Sequence, residues 1–165
     1  MNGSVNFYRN WTEYKNGFGN LSGEFFMGLD KLSAMTAARR QELIVILEDY
    51  DNDEKFVTYD HFAIGNETEQ YSLNHLGLAN GTAGNSLSWE FGNKFSTFDR
   101  DNSYNEVNCA KVSAGAWWYD RSYCHIGQLT GLYNATSMVT GMNWYTFWTL
   151  TFSLKRAVMM IRPKM

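Results

Sequence analysis

Five consecutive aliphatic residues, Leu43-Ile44-Val45-Ile46-Leu47, constrain this chain most. Three of them are β-branched, and such side chains pack well on a pleated surface. The run breaks at Asp49-Tyr50-Asp51-Asn52-Asp53 and resumes at Phe56-Val57-Thr58-Tyr59. Two strand-forming runs joined by a short turn-prone stretch specify an antiparallel hairpin. A hairpin alone is marginal in water, so the rest of the chain must extend it or cover it. Asp49, Asp51 and Asp53 alternate as cation ligands can, but the same residues are ordinary turn formers, which is the simpler reading.

Further strand signals cover His61 to Gly65 and Tyr71 to Leu73, and Thr149 to Arg162 reads as one long strand with Phe152, Leu154 and Met160 on alternate positions. Two short helices precede the hairpin. The first spans Asn10 to Phe18, with Trp11, Tyr14 and Phe18 at helical spacing behind an Asn10 or Thr12 cap, and Gly17 and Gly19 stop it. The second runs from Leu29 to Arg40 with Leu29, Leu32 and Met35 as its apolar stripe. Residues 77 to 85 are read as a loop without regular structure. Residues 92 to 148 hold many Gly, Asn, Ser and Trp with little periodicity, and long irregular segments in a compact domain carry function or are stapled.

The two cysteines, Cys109 and Cys124, lie inside that segment. In an oxidising compartment they would close a loop worth about 3 kcal/mol; two buried thiols are the alternative. Six Asn-X-Ser/Thr sequons, at Asn2, Asn10, Asn20, Asn66, Asn80 and Asn134, exceed the roughly two expected from composition and favour secretion. The basic residues are scattered and the net charge is −3, which argues against a nucleic-acid partner. No apolar run is long enough to insert in a membrane. His61 and His75 stand alone in sequence, Cys124 and His125 are neighbours whose side chains diverge, and no nucleophile or metalloprotease motif occurs, so no catalysis is expected.

Asp99-Arg100-Asp101-Asn102-Ser103-Tyr104-Asn105 places oxygen-bearing side chains on alternate positions, as a calcium loop does, although an Asx-rich turn has the same composition. Tyr104 and Ala110 stand where an EF-hand needs Gly and Glu, so that geometry is excluded.

Read in order, these stretches resemble the fibrinogen C-terminal domain family. The similarity is carried by Gly3-Ser4-Val5, Asn10-Trp11 with Tyr14-Lys15, Gly17-Phe18-Gly19, Gly23-Glu24-Phe25, Phe95-Ser96-Thr97-Phe98-Asp99-Arg100-Asp101, Gly115-Ala116-Trp117-Trp118-Tyr119, Cys124-His125 and Gly141-Met142-Asn143-Trp144. It implies an α+β fold, with a central antiparallel sheet, short flanking helices and an irregular, disulfide-stapled ligand-binding subdomain. The expected division of the single domain is a sheet-rich body (1–94), a calcium and ligand subdomain (95–148) and a C-terminal strand (149–165).

The resemblance further implies an extracellular, lectin-like module binding acetylated glycans with calcium support, or else a receptor- or matrix-binding head. It implies a Cys109–Cys124 disulfide, a cis peptide at Tyr123–Cys124, and calcium held by Asp101, Ser103, Asn105 and Val107 with Asp99 nearby. The ligand would meet Ser113, Trp118, Cys124, His125 and Met138. Ser103 stands where the family has an acidic ligand, and Ser113 and Met138 where acetyl-binding members have tyrosines, so both functions should be weakened. The family's preceding Gly-rich strand and cysteine pair are absent here. A non-functional fragment is therefore a further expectation, and oligomerisation would depend on segments that this chain lacks.

Overall fold

The computed structural model describes residues 2–137, 139–147 and 153–165. Met138 and residues 148–152, where the C-terminal strand is expected to begin, lie outside the described residues.

Helix α1 (Trp11–Asn16) starts in a capping box: the Asn10 side chain accepts from Glu13 N, and the Glu13 carboxylate accepts from Asn10 N. It ends at Gly17, whose φ of 92° suits glycine and whose missing side chain leaves room for the Met27 carbonyl. The pair β1 (Phe18–Gly19) and β2 (Phe25–Phe26) leads into α2 (Leu29–Ala38). The buried stripe of α2 is Leu29, Ser33 and Thr36, whereas Met35 is exposed. A threonine faces inward because its hydroxyl accepts the Ile64 amide, a bond that a methionine cannot make.

Strand β3 (Gln41–Glu48) alternates strictly, burying Leu43, Val45 and Leu47. It pairs antiparallel with β4 (Glu54–Ile64), in register from Glu48↔Glu54 to Leu43↔Tyr59. The turn between them is closed by Asp49, whose carboxylate accepts the amides of Asp51 and Asp53 at 2.9 Å each. A register shift beyond Leu43 changes the parity of β4, so that Val57 and Tyr59 are buried on one side of it and Phe62 and Ile64 on the other.

After a 3₁₀ turn (Glu67–Glu69), β5 (Leu73–Leu76) pairs with the end of β4, and β6 (Ala79–Asn80) pairs with its middle. The stretch 77–85, expected to be irregular, therefore contributes a short strand. Beyond a second 3₁₀ turn (Ser86–Trp89) come α3 (Cys109–Val112) and the pair β7 (Gly127–Gln128) and β8 (Asn143–Trp144). The last strand, β9 (Arg156–Pro163), pairs along β3 from Glu48↔Arg156 to Gln41↔Pro163. It starts later than expected: Leu154 is buried in a connection, its amide bonded to the Met142 carbonyl. The sheet order is β5-β4-β3-β9, with β6 beside β4.

One apolar cluster runs from the sheet (Leu43, Val45, Val57, Tyr59) through α1 (Trp11, Tyr14) into the irregular region (Phe95, Trp117, Trp118, Trp144). The irregular segment is thus pinned by large aromatic side chains where regular hydrogen bonding is sparse.

Candidate functional site

The site is built on a ladder of short-range side-chain bonds. Ser96 bridges to Trp117, and Thr97 and Arg100 close a tight turn. Asn102 returns to this turn through its amide on Ser96 Oγ (2.9 Å) and its side chain on the Phe95 carbonyl (2.7 Å). Asp101 Oδ1 then accepts both the amide (3.0 Å) and the hydroxyl (2.7 Å) of Ser103. Asn105 repeats the device, accepting from Val107 N at 3.2 Å and donating to the Arg121 carbonyl at 2.7 Å. That last bond ties the 101–107 loop to the turn before Cys124. Asn108 caps α3 and donates to the Phe98 carbonyl.

Cys109 opens α3 and is bonded to Cys124. The disulfide holds a turn in which Asp120 N donates to the Cys124 carbonyl and the Asp120 carboxylate accepts from Ser122 and Tyr123. Cys124 adopts φ 65° and the next amide, His125, donates to the Tyr123 carbonyl. The His125 ring lies 6.0 Å from Tyr119, and its Nε2 is 3.3 Å from the Val139 carbonyl. Burial holds this imidazole below its ordinary range, so it is neutral at physiological pH. Beside it Tyr123 and Val139 are exposed, as are Tyr104 and Val107 of the 101–107 loop and Tyr145, whose amide donates to the Ile126 carbonyl.

Beneath this surface lies Glu90, fully buried. One carboxyl oxygen accepts from Gly127 N at 3.3 Å, and the other, Oε2, is buried without a hydrogen-bond partner. Desolvation pushes its pKa up to about 8. Sequence reading passes over this residue, for which the signal is slight: a single carboxylate between the aromatics Trp89 and Phe91.

Residues 1–164 match the family defined by the C-terminal globular domain of the fibrinogen beta and gamma chains. The protein belongs to this family. Among relatives of the fibrinogen C-terminal domain, Ryncolin-4 of Cerberus rynchops is 44% identical over 167 residues, covering 99% of this chain; the chain spans about half (48%) of that relative's length. Two solved fibrinogen C-terminal-type structures superpose closely. The fibrinogen-like globe domain of human ANGPTL2 has a TM-score of 0.92 at 38% identity, covering 99% of this chain and 76% of its own. Lamprey fibrin D-dimer, in complex with the peptide ligand Gly-His-Arg-Pro-amide, has a TM-score of 0.89 at 30% identity, covering 98% and 58%.

In this fibrinogen C-terminal domain the expected site residues separate into three groups. Cys124 and His125 share a rim with the 101–107 loop, and the disulfide leaves Cys124 no thiol. Trp118 and Ser113 lie inside. Trp118 is 2% exposed, its Nε1 donating to the Tyr71 carbonyl at 2.7 Å, and it presents no surface to a ligand. Ser113 is fully buried, with its carbonyl accepting from Gln128, whose other amide atom accepts the Tyr119 hydroxyl. Met138 lies outside the described residues. The peptide bonds of the described residues are all trans, so the turn at Tyr123–Cys124 is made by the positive φ of Cys124 rather than by the expected cis bond.

The calcium ligand set offers one carboxylate, Asp101, and one neutral hydroxyl, Ser103, which already donates to it. Asp99 is engaged elsewhere through one oxygen: its Oδ1 accepts from Trp11 N at 3.0 Å and Thr97 Oγ1 at 2.7 Å, which anchors the start of α1. Among the described residues no three His, Cys, Asp or Glu side chains are arranged to hold a metal. Affinity in calcium loops scales with ligand charge, and this loop supplies one carboxylate. A second carboxylate should restore affinity: Ser103→Asp is expected to make millimolar calcium raise the melting temperature by several degrees, against little change in the parent. Equal calcium responses in the two proteins would exclude the loop as the site.

Proposed function

We propose that this chain is the ligand-recognising head of an extracellular protein and that it docks a protein ligand on the surface around Cys124 and His125, without an acetyl-specific funnel. The observation that carries this reading is the state of Ser113. An acetyl funnel needs aromatic walls, and at the position where a tyrosine would stand this chain has a buried serine roofed by the Tyr119–Gln128 pair. What remains outside carries the exposed Tyr104, Tyr123 and Tyr145, side chains of the kind that give large contact area at low entropic cost. The peptide bound by lamprey fibrin D-dimer is consistent with a protein ligand.

Extracellular placement is supported by the disulfide and by the sequons. Asn2, Asn20, Asn66, Asn80 and Asn134 are exposed and would carry glycans, whereas Asn10 is half-buried as the cap of α1. No helix among the described residues is long and apolar enough to cross a membrane. Calcium, held weakly by Asp101 and Ser103 with the carbonyls of Asn105 and Val107, would brace the loop rather than touch the ligand. No step of catalysis is assigned.

Retention on an acetylated resin, with free N-acetylglucosamine and a chelator as separate competitors, tests the reading. Folded, secreted protein is expected to flow through, while cell-surface binding falls on Tyr123→Asp and ignores the sugar. Retention reversed by the sugar would establish an acetyl lectin instead, and failure to secrete a folded product would favour a non-functional fragment.

A further inference from the structure

A cleft of about 390 Å³ opens between the end of α2 and the β4–β5 edge, a volume in the range of ligand clefts. Arg39, Arg40, His61 and His75 all line it. Strand register places Ala63 opposite His75, so His61 and His75 are diagonal neighbours on one face of the β4–β5 pair. Their rings stack with centroids 4.6 Å apart and planes 17° apart. Neither imidazole has a side-chain hydrogen bond to another described residue, in contrast to His125.

Positive charge prevails here. Arg39 is exposed, and its guanidinium has no ion pair or hydrogen bond among the described residues. Arg40 meets Asp60 at 3.1 Å, but Asp60 is shared with Lys164 at 3.2 Å and cannot neutralise both. Glu42, on β3, is taken by Arg162 at 2.8 Å. Among the described residues Glu69 is the carboxylate that lines the cleft, its oxygens accepting from Asn66 N and Asn74 Nδ2. Arg39, Arg40 and Lys164 thus stand against Asp60 and Glu69, a surplus of one positive charge while both imidazoles are neutral. The carbonyls at the end of α2 that would repel an anion, Met35 and Arg39, accept from Gln41 Nε2 at 3.2 and 3.3 Å. Burial, His75 and Arg40 hold His61 below its ordinary range, and an anion beside it would oppose the last two.

We propose that this cleft binds a sulfate ester carried on a saccharide, with the Arg39 guanidinium as its forked donor and the His61–His75 stack beside it. A guanidinium matches an oxyanion with two parallel N–H bonds, and an unpaired one has no partner to give up. A tetrahedral oxyanion offers several oxygens, so donors lying in parallel planes need not converge on one point. A sulfate monoester carries a single negative charge and matches the surplus of one, whereas a phosphate monoester near pH 7 carries about −1.5 to −2 and exceeds it. Asn66, exposed on the wall, is the acceptor of a sequon, so a saccharide carried there borders the cleft. The site lies on the sheet body and does not depend on the ligand reading above.

The test is NMR of the whole chain, whose three imidazoles report separately, titrated at constant ionic strength with glucose 6-sulfate, glucose 6-phosphate, tyrosine O-sulfate and glucose. Glucose 6-sulfate is expected to move the His61 and His75 signals saturably and to spare His125, while glucose moves none. Binding should be about fivefold tighter at pH 6.0 than at pH 7.5, because the anion and the imidazole protons favour each other. Arg39→Ala should weaken it about tenfold, the loss of one charge-assisted contact, and Arg39→Lys, which keeps the charge without the fork, should fall between. Arg39 is exposed, so neither change disturbs the core. Equal affinity in the parent and Arg39→Ala, movement by glucose alone, or tighter binding of the phosphate or of tyrosine O-sulfate at pH 7.5 would overturn the assignment.

Discussion

Replacing Glu90 by glutamine is expected to stabilise the domain strongly at pH 8.5 and far less at pH 4.5. The carboxyl is buried with one oxygen unpartnered, and its pKa stands near 8 against an ordinary 4.5. Below pH 4.5 both folded and unfolded chains hold the proton, and nothing is lost. Between 4.5 and 8 the unfolded chain releases it while the folded chain does not, so stability falls as pH rises, and above 8 the penalty is constant. At 1.36 kcal/mol per unit the full penalty is of the order of 4–5 kcal/mol. Glutamine never ionises, so the gain grows through that window and is full above it. Melting curves at the two pH values decide it: the difference between them is expected to be about 10 °C, and an equal effect at both would mean that Glu90 is ionised in the fold or not buried.

Trp118→Ala is expected to cost about 3–5 kcal/mol, as deletion of a buried tryptophan usually does, and to lower the melting temperature by about 10 °C. The ring packs edge-on against Phe95 (5.2 Å), Trp117 (5.2 Å) and Phe62 (6.3 Å), and its Nε1–H satisfies the Tyr71 carbonyl. Trp118→Phe should recover part of the packing yet leave that carbonyl unpaired, for about 1–3 kcal/mol. Ligand affinity measured well below the transition is expected to be unchanged in both variants. An affinity loss without a stability loss would return Trp118 to the ligand surface.

The hairpin and α1 were legible because each is dictated locally, by a branched aliphatic run and by Asn10 with Glu13 at capping-box spacing. The α2 stripe was misjudged because apolar periodicity cannot see that Thr36 is wanted inside for its hydroxyl. The shift in β4 was equally hidden, since period-two reading assumes unbroken register. At the proposed ligand surface, motif membership does not distinguish rim from core: Cys124 and His125 are half-buried, while Ser113 and Trp118 lie inside. Asp99 shows the same limit. Its place in an acidic run suggested a ligand, and its partners make it an anchor for a helix far back in the sequence.

The pairing of β3 with β9 joins Gln41 to Pro163 and Glu48 to Arg156. Everything from the β3–β4 turn to the disulfide and the ligand surface is threaded between those two strands. Closing so long a loop is entropically slow, and such high contact order predicts folding on the slow side for a protein of this length. During synthesis β3 must wait, its outer edge unpaired, until β9 has left the ribosome. The final strand therefore acts in time as a completion signal: the sheet seals only when the whole recognition surface has already been made.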